Sequence, residues 1–356
     1  MGVKVATSFD PKLQTNREKD ASLTRTADSD NLLSQVLKSI YAPIEKELGQ
    51  AEQLLRKELR NDSPFVNELL EYGGQLGGKR LRPALLLLTA KASGSVNENH
   101  YILAAVVEMI HTATLVHDDV LDEAETRRHL ATVNSRWNNE TSVLLGDYLF
   151  THSFYLASTL ETTYGCRRIG HSTNIVCEGE LRQIASRGNY NLTEEEYYAI
   201  IDGKTAELCA CACHLGAYYS NAGDTVVAAL ERFGRSLGMA FQIADDLLDL
   251  LGEEDTTGKS LGTDLEKQKA TLPVIHALQA ADSQHRGELL DLLNNPVAVN
   301  QAAILDLLNQ YDAFGYARGK AMQFIDQARS ELEVLPPSEC RDVLADLTHF
   351  VISRSH

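Results

Sequence analysis

Apolar residues between Tyr101 and Asp122 recur at helical spacing: Ile102, Ala105, Val106, Met109, Ile110, Ala113 and Leu115 cover most sides of one helix. That pattern predicts a helix buried inside a larger bundle. No proline occurs between Pro83 and Pro273, and Ala, Leu, Glu and Ile return at helical spacing through that stretch. Helix starts are legible too. Ser63 precedes Pro64 at a first turn, and Thr193 with Glu196 three positions on forms a capping box before Tyr197–Tyr219. Strand-like alternation is almost absent, so residues 31–356 are expected to form one all-α domain. The first 30 residues are polar, balanced in charge and without apolar periodicity, and read as a mobile tail.

Composition narrows the class. Hydrophobic residues make up 44% and charged residues 23% of 356, the mix of a globular protein, and no apolar run suits a transmembrane helix. Lys plus Arg 33 against Asp plus Glu 50 gives a net charge of −17, which disfavours a nonspecific grip on nucleic acid or anionic lipid. The six cysteines include no CxxC pair and the N-terminus resembles no secretory signal, which points to a cytoplasmic location. Cys209, Cys211 and Cys213 alternate, so on a helix the middle one points away from the others and the trio reads as core packing.

Two aspartate quintets carry the chemistry. Asp118, Asp119 and Asp122 stand in DDVLD, and Asp245, Asp246 and Asp249 in DDLLD. On a helix the first and fifth positions share a face, so each quintet presents a pair of carboxylates. Two unit charges about 4 Å apart repel by about 4 kcal/mol at an effective dielectric near 20, so a counter-cation is required. Hard oxygen ligands select Mg²⁺ or Ca²⁺, and Mg²⁺ characteristically combines a few carboxylates with water and substrate phosphates. A solvated acidic face is the bland alternative. Leu115, Val116, Val120 and Leu121 around the first quintet, and Ile243, Leu247, Leu248 and Leu250 around the second, are too apolar for it. A di-iron site would need two ExxH motifs, and only Glu108 to His111 supplies one.

Basic residues surround the acids. Gly73, Gly74, Gly77 and Gly78 lead into Lys79, Arg80 and Arg82, and a glycine-rich approach with arginine forks suits phosphate oxygens. Lys79 and Arg82, three apart, could meet one anion and leave Arg80 on another face. Arg127 and Arg128 follow the first quintet; Lys204, Thr205 and Gln242 precede the second, and Lys259 and Lys269 follow it. In an acidic chain this placement suits two phosphorylated substrates, one held through metal and one directly.

These motifs resemble the trans-isoprenyl diphosphate synthase (polyprenyl synthetase) family. GGKRLRP, EMIHTATLVHDDVLDEAETRR, LLGDYLF, GKT and GMAFQIADDLLD stand in the family's order between Gly73 and about Pro273. The resemblance implies the isoprenoid synthase fold, a bundle of antiparallel helices around a central cavity between the quintets, usually in a homodimer. It implies Mg²⁺, about three ions per active site, held by Asp118, Asp119, Asp122, Asp245, Asp246 and Asp249 with Asp118, Asp122 and Asp245 leading. By the same resemblance Lys79, Arg82, His111 and Arg128 bind isopentenyl diphosphate. Arg127, Lys204, Thr205, Gln242 and Lys259 face the allylic diphosphate, with Lys204 counted among the catalytic groups. His129 departs from the glycine that many members carry after the arginine pair, which leaves the local turn open.

Thr114, Ala113, Ile110 and Val106 precede Asp118 by four, five, eight and twelve positions and form one face adjoining the metal stripe. Short-chain members close the cavity with an aromatic where this chain has Ala113 and Thr114. Eight residues of helix add about 12 Å of depth, so a product of C30 or longer is expected, with a C20 product the alternative if another helix supplies the floor. A noncatalytic partner subunit would characteristically lack one quintet, and a terpene cyclase would lack GGKR and the second quintet. The sequence also leaves room for transient membrane contact as a greasy product departs.

Overall fold

A computed structural model describes residues 39–76, 78–128, 130–252, 262–295 and 300–353. The 1–30 tail, His129 and Lys259 lie outside the described residues. In chain order the helices are α1 (Glu45–Glu58), α2 (Pro64–Leu76), α3 (Leu81–Ser93), α4 (Glu98–Leu121), α5 (Val133–Arg136), α6 (Asn139–Ser158), α7 (Tyr164–Ser186) and α8 (Glu194–Ile201). They continue as α9 (Glu207–Tyr219), α10 (Asp224–Leu251), α11 (Thr263–Glu266), α12 (Leu272–Ala280), α13 (Ser283–Asn294), α14 (Gln301–Gln310), α15 (Ala313–Glu331) and α16 (Glu339–Ser353). The all-α expectation holds. One hairpin interrupts it, β1 (Thr126–Arg127) pairing antiparallel with β2 (Leu130–Ala131).

The start signals act as the sequence suggests. Pro64 opens α2, where its missing N–H is no loss. At α8 the Thr193 hydroxyl accepts the Glu196 N–H at 3.2 Å and the Glu196 carboxylate accepts the Thr193 N–H at 2.9 Å. Helix α4, apolar on most sides, packs against α1, α3, α6 and α9, while α10 packs against α9 and α15. Cys209, Cys211 and Cys213 are buried and unbridged in α9, as packing residues.

The apolar interior forms two clusters. The first joins α1 to α4, α6, α9 and α16 with the N-terminal part of α10, and includes Leu85, Val106, Ile110 and Phe233. The second joins α8, α12, α13, α14 and α15 with the C-terminal part of α10, and includes Ile243, Leu247, Leu272 and Leu308. The first quintet ends a helix of the first cluster, and the second quintet ends α10, which like α15 belongs to both. Their meeting place therefore lies near the seam between the two packed clusters.

An ionic network ties α7, α9 and α10 together behind this seam. The Arg168 guanidinium donates to Glu207 at 2.7 Å and to Glu231 at 2.8 Å, and the Ser172 hydroxyl donates to Glu207 at 2.7 Å. His214 Nδ1 meets Glu231 at 2.7 Å, and its Nε2 meets the Tyr164 hydroxyl at 2.6 Å. The His214 hydrogen bond, against the upward push of burial and with help from Arg168 and Arg235, holds the Glu231 carboxyl down at about 2.

A depressed carboxylate contributes stability that is present above its unfolded value and lost as pH falls through its folded value. For Glu231 that window runs from 4.5 down to about 2. Glu231→Gln should therefore lower unfolding free energy near neutrality by up to about 3 kcal/mol. Urea denaturation should show the gap from wild type closing as the medium is acidified through that window; a gap independent of pH would exclude this role.

Candidate active site

The first quintet closes α4. Asp118 and Asp119 lie in its last turn, and Asp122 caps it with its N–H on the Asp118 carbonyl at 2.8 Å. Asp118 and Asp122 are half-buried, as the one-turn spacing requires. Asp119 faces the other way. It is buried, and the Arg127 guanidinium takes both its oxygens, with Nε at 2.9 and 3.2 Å. Arg127, which the resemblance directs to the allylic diphosphate, thus spends its fork on Asp119 and anchors the hairpin to α4.

Lys204 approaches the first quintet from a π-helical turn, Asp202–Ala206, that joins α8 to α9. Its ammonium lies 3.5 Å from Asp118 and donates at 2.9 Å to both Glu180 and Gln183 of α7. Burial alone would lower the Lys204 value, but Asp118 and Glu180 raise it and keep the cation charged. Glu180 is pushed up by burial and by Asp118. The neighbouring Thr205 serves the other quintet: its hydroxyl donates to Gln242 at 2.7 Å, and Gln242 donates to Asp246 at 2.7 Å.

The second quintet divides as the first does. Asp246 is buried, with its second oxygen accepting the Tyr197 hydroxyl at 2.6 Å, so its carboxyl orients Gln242 and Tyr197. Asp245 and Asp249 are half-buried. Asp249 accepts the Thr263 hydroxyl at 2.9 Å and the Asp264 N–H at 3.0 Å, which draws α11 against the end of α10. Asp264 thereby joins the cluster. Burial first, then Asp249, raises its carboxyl to about 6.

Cations bridge the two clusters. Lys269 lies 3.4 Å from Asp122 and 3.6 Å from Asp264, and Asp122 also receives Lys267 at 3.4 Å and Arg187 at 3.0 Å. Asp122 is consequently held low, against burial, by Lys269, Lys267 and Lys204. Two turns deliver these groups. Gly188 and Gln268 both have left-handed φ, and the Gly188 N–H donates to the Gln268 carbonyl at 2.9 Å.

A second cluster, rich in arginine, gathers at α4. His111 is held well below its usual value by burial and then by Arg82, Arg128, Arg127 and Arg80, so it stands neutral among arginines. The Arg128 guanidinium lies so close to Gly78 that any Cβ there would meet it at 2.4 Å, and it donates to the Leu76 carbonyl at 2.9 Å. The Arg82 Nε is buried with no hydrogen-bond partner among the described residues, which suits an anion. Arg80 turns away, as expected, to the buried Glu108 at 2.6 Å. Lys79 does not share a helical face with Arg82. The left-handed φ of Arg80 breaks the spacing, and Lys79 is exposed with its ammonium 6.0 Å from the Phe350 ring centroid.

Among the described residues no three acid, His or Cys side chains close on one point as a complete metal cage. The set nevertheless fits Mg²⁺, which keeps waters and takes substrate phosphate oxygens beside one or two carboxylates. Burial first, and then neighbouring carboxylates, raises the carboxyls of Asp249, Asp264 and Glu180, so added positive charge is favoured there. On the face of α4 that precedes Asp118, Ile110 and Ala113 are fully buried, and Thr114 donates its hydroxyl to the His111 carbonyl at 2.8 Å. Glu180, Gln183, Arg187, Lys267 and Asp264 were not singled out in the sequence. Glu180 and Gln183 carried a signal, two polar groups three apart on α7.

An all-α scaffold with a split acidic cluster, bridging lysines and a separate arginine–histidine cluster suits an enzyme that handles anionic substrates. The chain belongs to the polyprenyl synthetase family, whose profile matches residues 63–310, and it is a prenyltransferase. It is 36% identical over 320 residues to the geranyl-diphosphate-specific all-trans-nonaprenyl-diphosphate synthase of Rhodobacter capsulatus, covering 88% of this chain and 97% of that one. Octaprenyl diphosphate synthase of Haemophilus influenzae is 33% identical over 313 residues, covering 87% and 94%. A polyprenyl synthase from Caulobacter crescentus CB15, solved with calcium and isoprenyl diphosphate, superposes with a TM-score of 0.85 at 31% identity, covering 90% and 98%.

Arg82→Ala should weaken binding of inorganic diphosphate to the chelator-treated protein by about tenfold or more, the loss of one charge-assisted contact. Titration calorimetry reads this directly. An unchanged affinity would place the anion elsewhere.

Proposed function

We propose that the protein is a long-chain trans-polyprenyl diphosphate synthase that condenses isopentenyl diphosphate head to tail onto an allylic diphosphate, giving a product of C30 or longer. The observation that carries this is the pairing of two unlike anion sites. One is lined by Asp118, Asp122, Asp245, Asp249 and Asp264 with Lys204 and Lys269 between them; the other is built from Arg82, Arg128 and neutral His111.

The acid-lined site takes the allylic diphosphate. Mg²⁺ bound by Asp118, Asp122, Asp245 and Asp249 supplies the charge that stabilises the departing diphosphate. Lys204, Lys267, Lys269 and Arg187 add cationic hydrogen-bond donors to the same anion, with Lys259 assigned by resemblance. Asp119 and Asp246 hold Arg127 and Gln242 in place. Arg82, Arg128 and His111 orient isopentenyl diphosphate, with Lys79 at the rim. Apolar side chains below Asp118 would exclude water from the allylic cation, and by resemblance the small Ala113, where short-chain members carry an aromatic, would leave the tail free to grow along α4.

Leu144 and Tyr155 on α6 and Leu181 and Ile184 on the adjacent α7 are exposed, an apolar face that suits pairing with a second copy. A homodimer in the cytoplasm fits this face and the unbridged cysteines. Among the described residues no helix is long and apolar enough to cross a membrane, and transient contact with lipid during product release belongs to the same reading.

Incubation with farnesyl diphosphate, labelled isopentenyl diphosphate and Mg²⁺ should give extended products. Asp118→Ala and Asp245→Ala should each lower turnover by orders of magnitude with the thermal transition retained; wild-type rates in either would refute the metal assignment. Ala113→Phe should shorten the product ladder by at least one five-carbon unit, as chromatography would show, and an unchanged ladder would remove this face from the wall.

A further inference from the structure

The π-turn that carries Lys204 is gripped from outside the substrate site. Its defining bond runs from the Glu207 N–H to the Asp202 carbonyl, five residues back. One arginine spans the same interval: Arg235 of α10 donates at 2.5 Å to the carboxylate of Asp202 and at 2.5 Å to that of Glu207. Glu207 is buried and also bound by Arg168 and Ser172, which fixes its end. Asp202, at the other end, is partly exposed.

The spacing gives this fork a conformational meaning. In an α-helix residues five apart diverge by about 140° around the axis, at about 100° per residue, so one guanidinium could not hold both carboxylates. The wider π-turn brings them to one side. Its flanks leave no slack, because a Cβ at Gly179 of α7 would meet the Lys204 nitrogen at 2.5 Å, and one at Gly238 of α10 would meet the Ala206 Cα at 2.5 Å. If the segment relaxed to α-helical winding, the register would slip by one residue. Lys204 would then turn by about 100°, away from Asp118, Glu180 and Gln183, and Thr205 away from Gln242.

We propose that Arg235 is a positioning residue that holds Asp202–Ala206 in its π-turn and thereby aims Lys204 at the first quintet and Thr205 at the second. This rests on the reading of that site as the one for the allylic diphosphate. The isopentenyl diphosphate pocket, built on α4 and the turns around Gly78 and Arg128, does not include the turn.

Two measurements test it. In Arg235→Gln the KM for the allylic diphosphate should rise about tenfold or more, with the KM for isopentenyl diphosphate within about twofold of wild type, and Arg235→Lys should recover part of the loss. A general loss of folding would lower apparent kcat and leave both KM values near wild type, and that outcome, or two KM values that rise together, would overturn the proposal. The second readout needs no turnover. Acylation of the protein read by mass spectrometry should show Lys204 several-fold more reactive in Arg235→Gln, while surface Lys91 and Lys320 stay unchanged. If Arg235→Gln does not fold, Asp202→Asn, at the exposed end of the clamp, should raise Lys204 reactivity in the same direction; unchanged reactivity in the variant tested sinks the proposal. Raised reactivity in a protein that extends no allylic diphosphate would overturn the functional reading and leave the clamp standing.

Discussion

The repulsion among carboxylates brought to one seam governs this molecule. Asp118, Asp122, Asp245, Asp249 and Asp264 come from three helices, and in a partly dry environment each would raise the others' proton affinity. At Asp122 three lysines outweigh burial and hold the carboxyl low; at Asp264 burial and then Asp249 outweigh Lys269, 3.6 Å away, and raise it to about 6. The fold therefore has to bring cations as well as acids to the seam, and it delivers them on separate elements. Lys204 comes from the π-turn, Arg187 from the end of α7, and Lys267 and Lys269 from the turn after α11.

That arrangement explains a division of labour within each quintet. The first and last aspartates face the seam. The middle one points into the protein and works as a support, Asp119 for the hairpin through Arg127 and Asp246 for Gln242 and Tyr197. Helical geometry requires this, since consecutive residues lie about 100° apart and cannot serve one ligand face. A quintet is thus two candidate ligands and one brace, and the braces connect the acidic seam to the packed clusters behind it.

The two anion sites differ for the same reason. Around Asp118 and Asp122 the cations are matched to acids, so an anion there needs additional positive charge. Around His111 burial first, and then the neighbouring arginines, hold the imidazole neutral, and the buried Arg82 Nε suits an anion directly. Both sites lie against α4, so in the proposed reaction two diphosphates would sit near each other.

The sequence by itself determined the all-α class, the helix starts at Pro64 and Thr193, the acid pairs and the basic clusters, because each is a local matter of spacing, capping and charge. It also carried the family through motifs in a fixed order. It did not reveal that Arg127 belongs to Asp119, that Arg80 leaves the helical register and strands Lys79 at the surface, or that Glu180, Gln183, Arg187, Lys267 and Asp264 converge on the seam. Nor could helical periodicity announce a π-turn at Asp202–Ala206, since the extra residue is selected by Arg235 on a helix far along the chain. The Arg127–Asp119 pair spans a turn of eight residues and the left-handed Arg80 is local, but helical spacing announces neither; the other contacts join residues distant in sequence, so only the tertiary packing of α4, α7, α10 and α11 decided them.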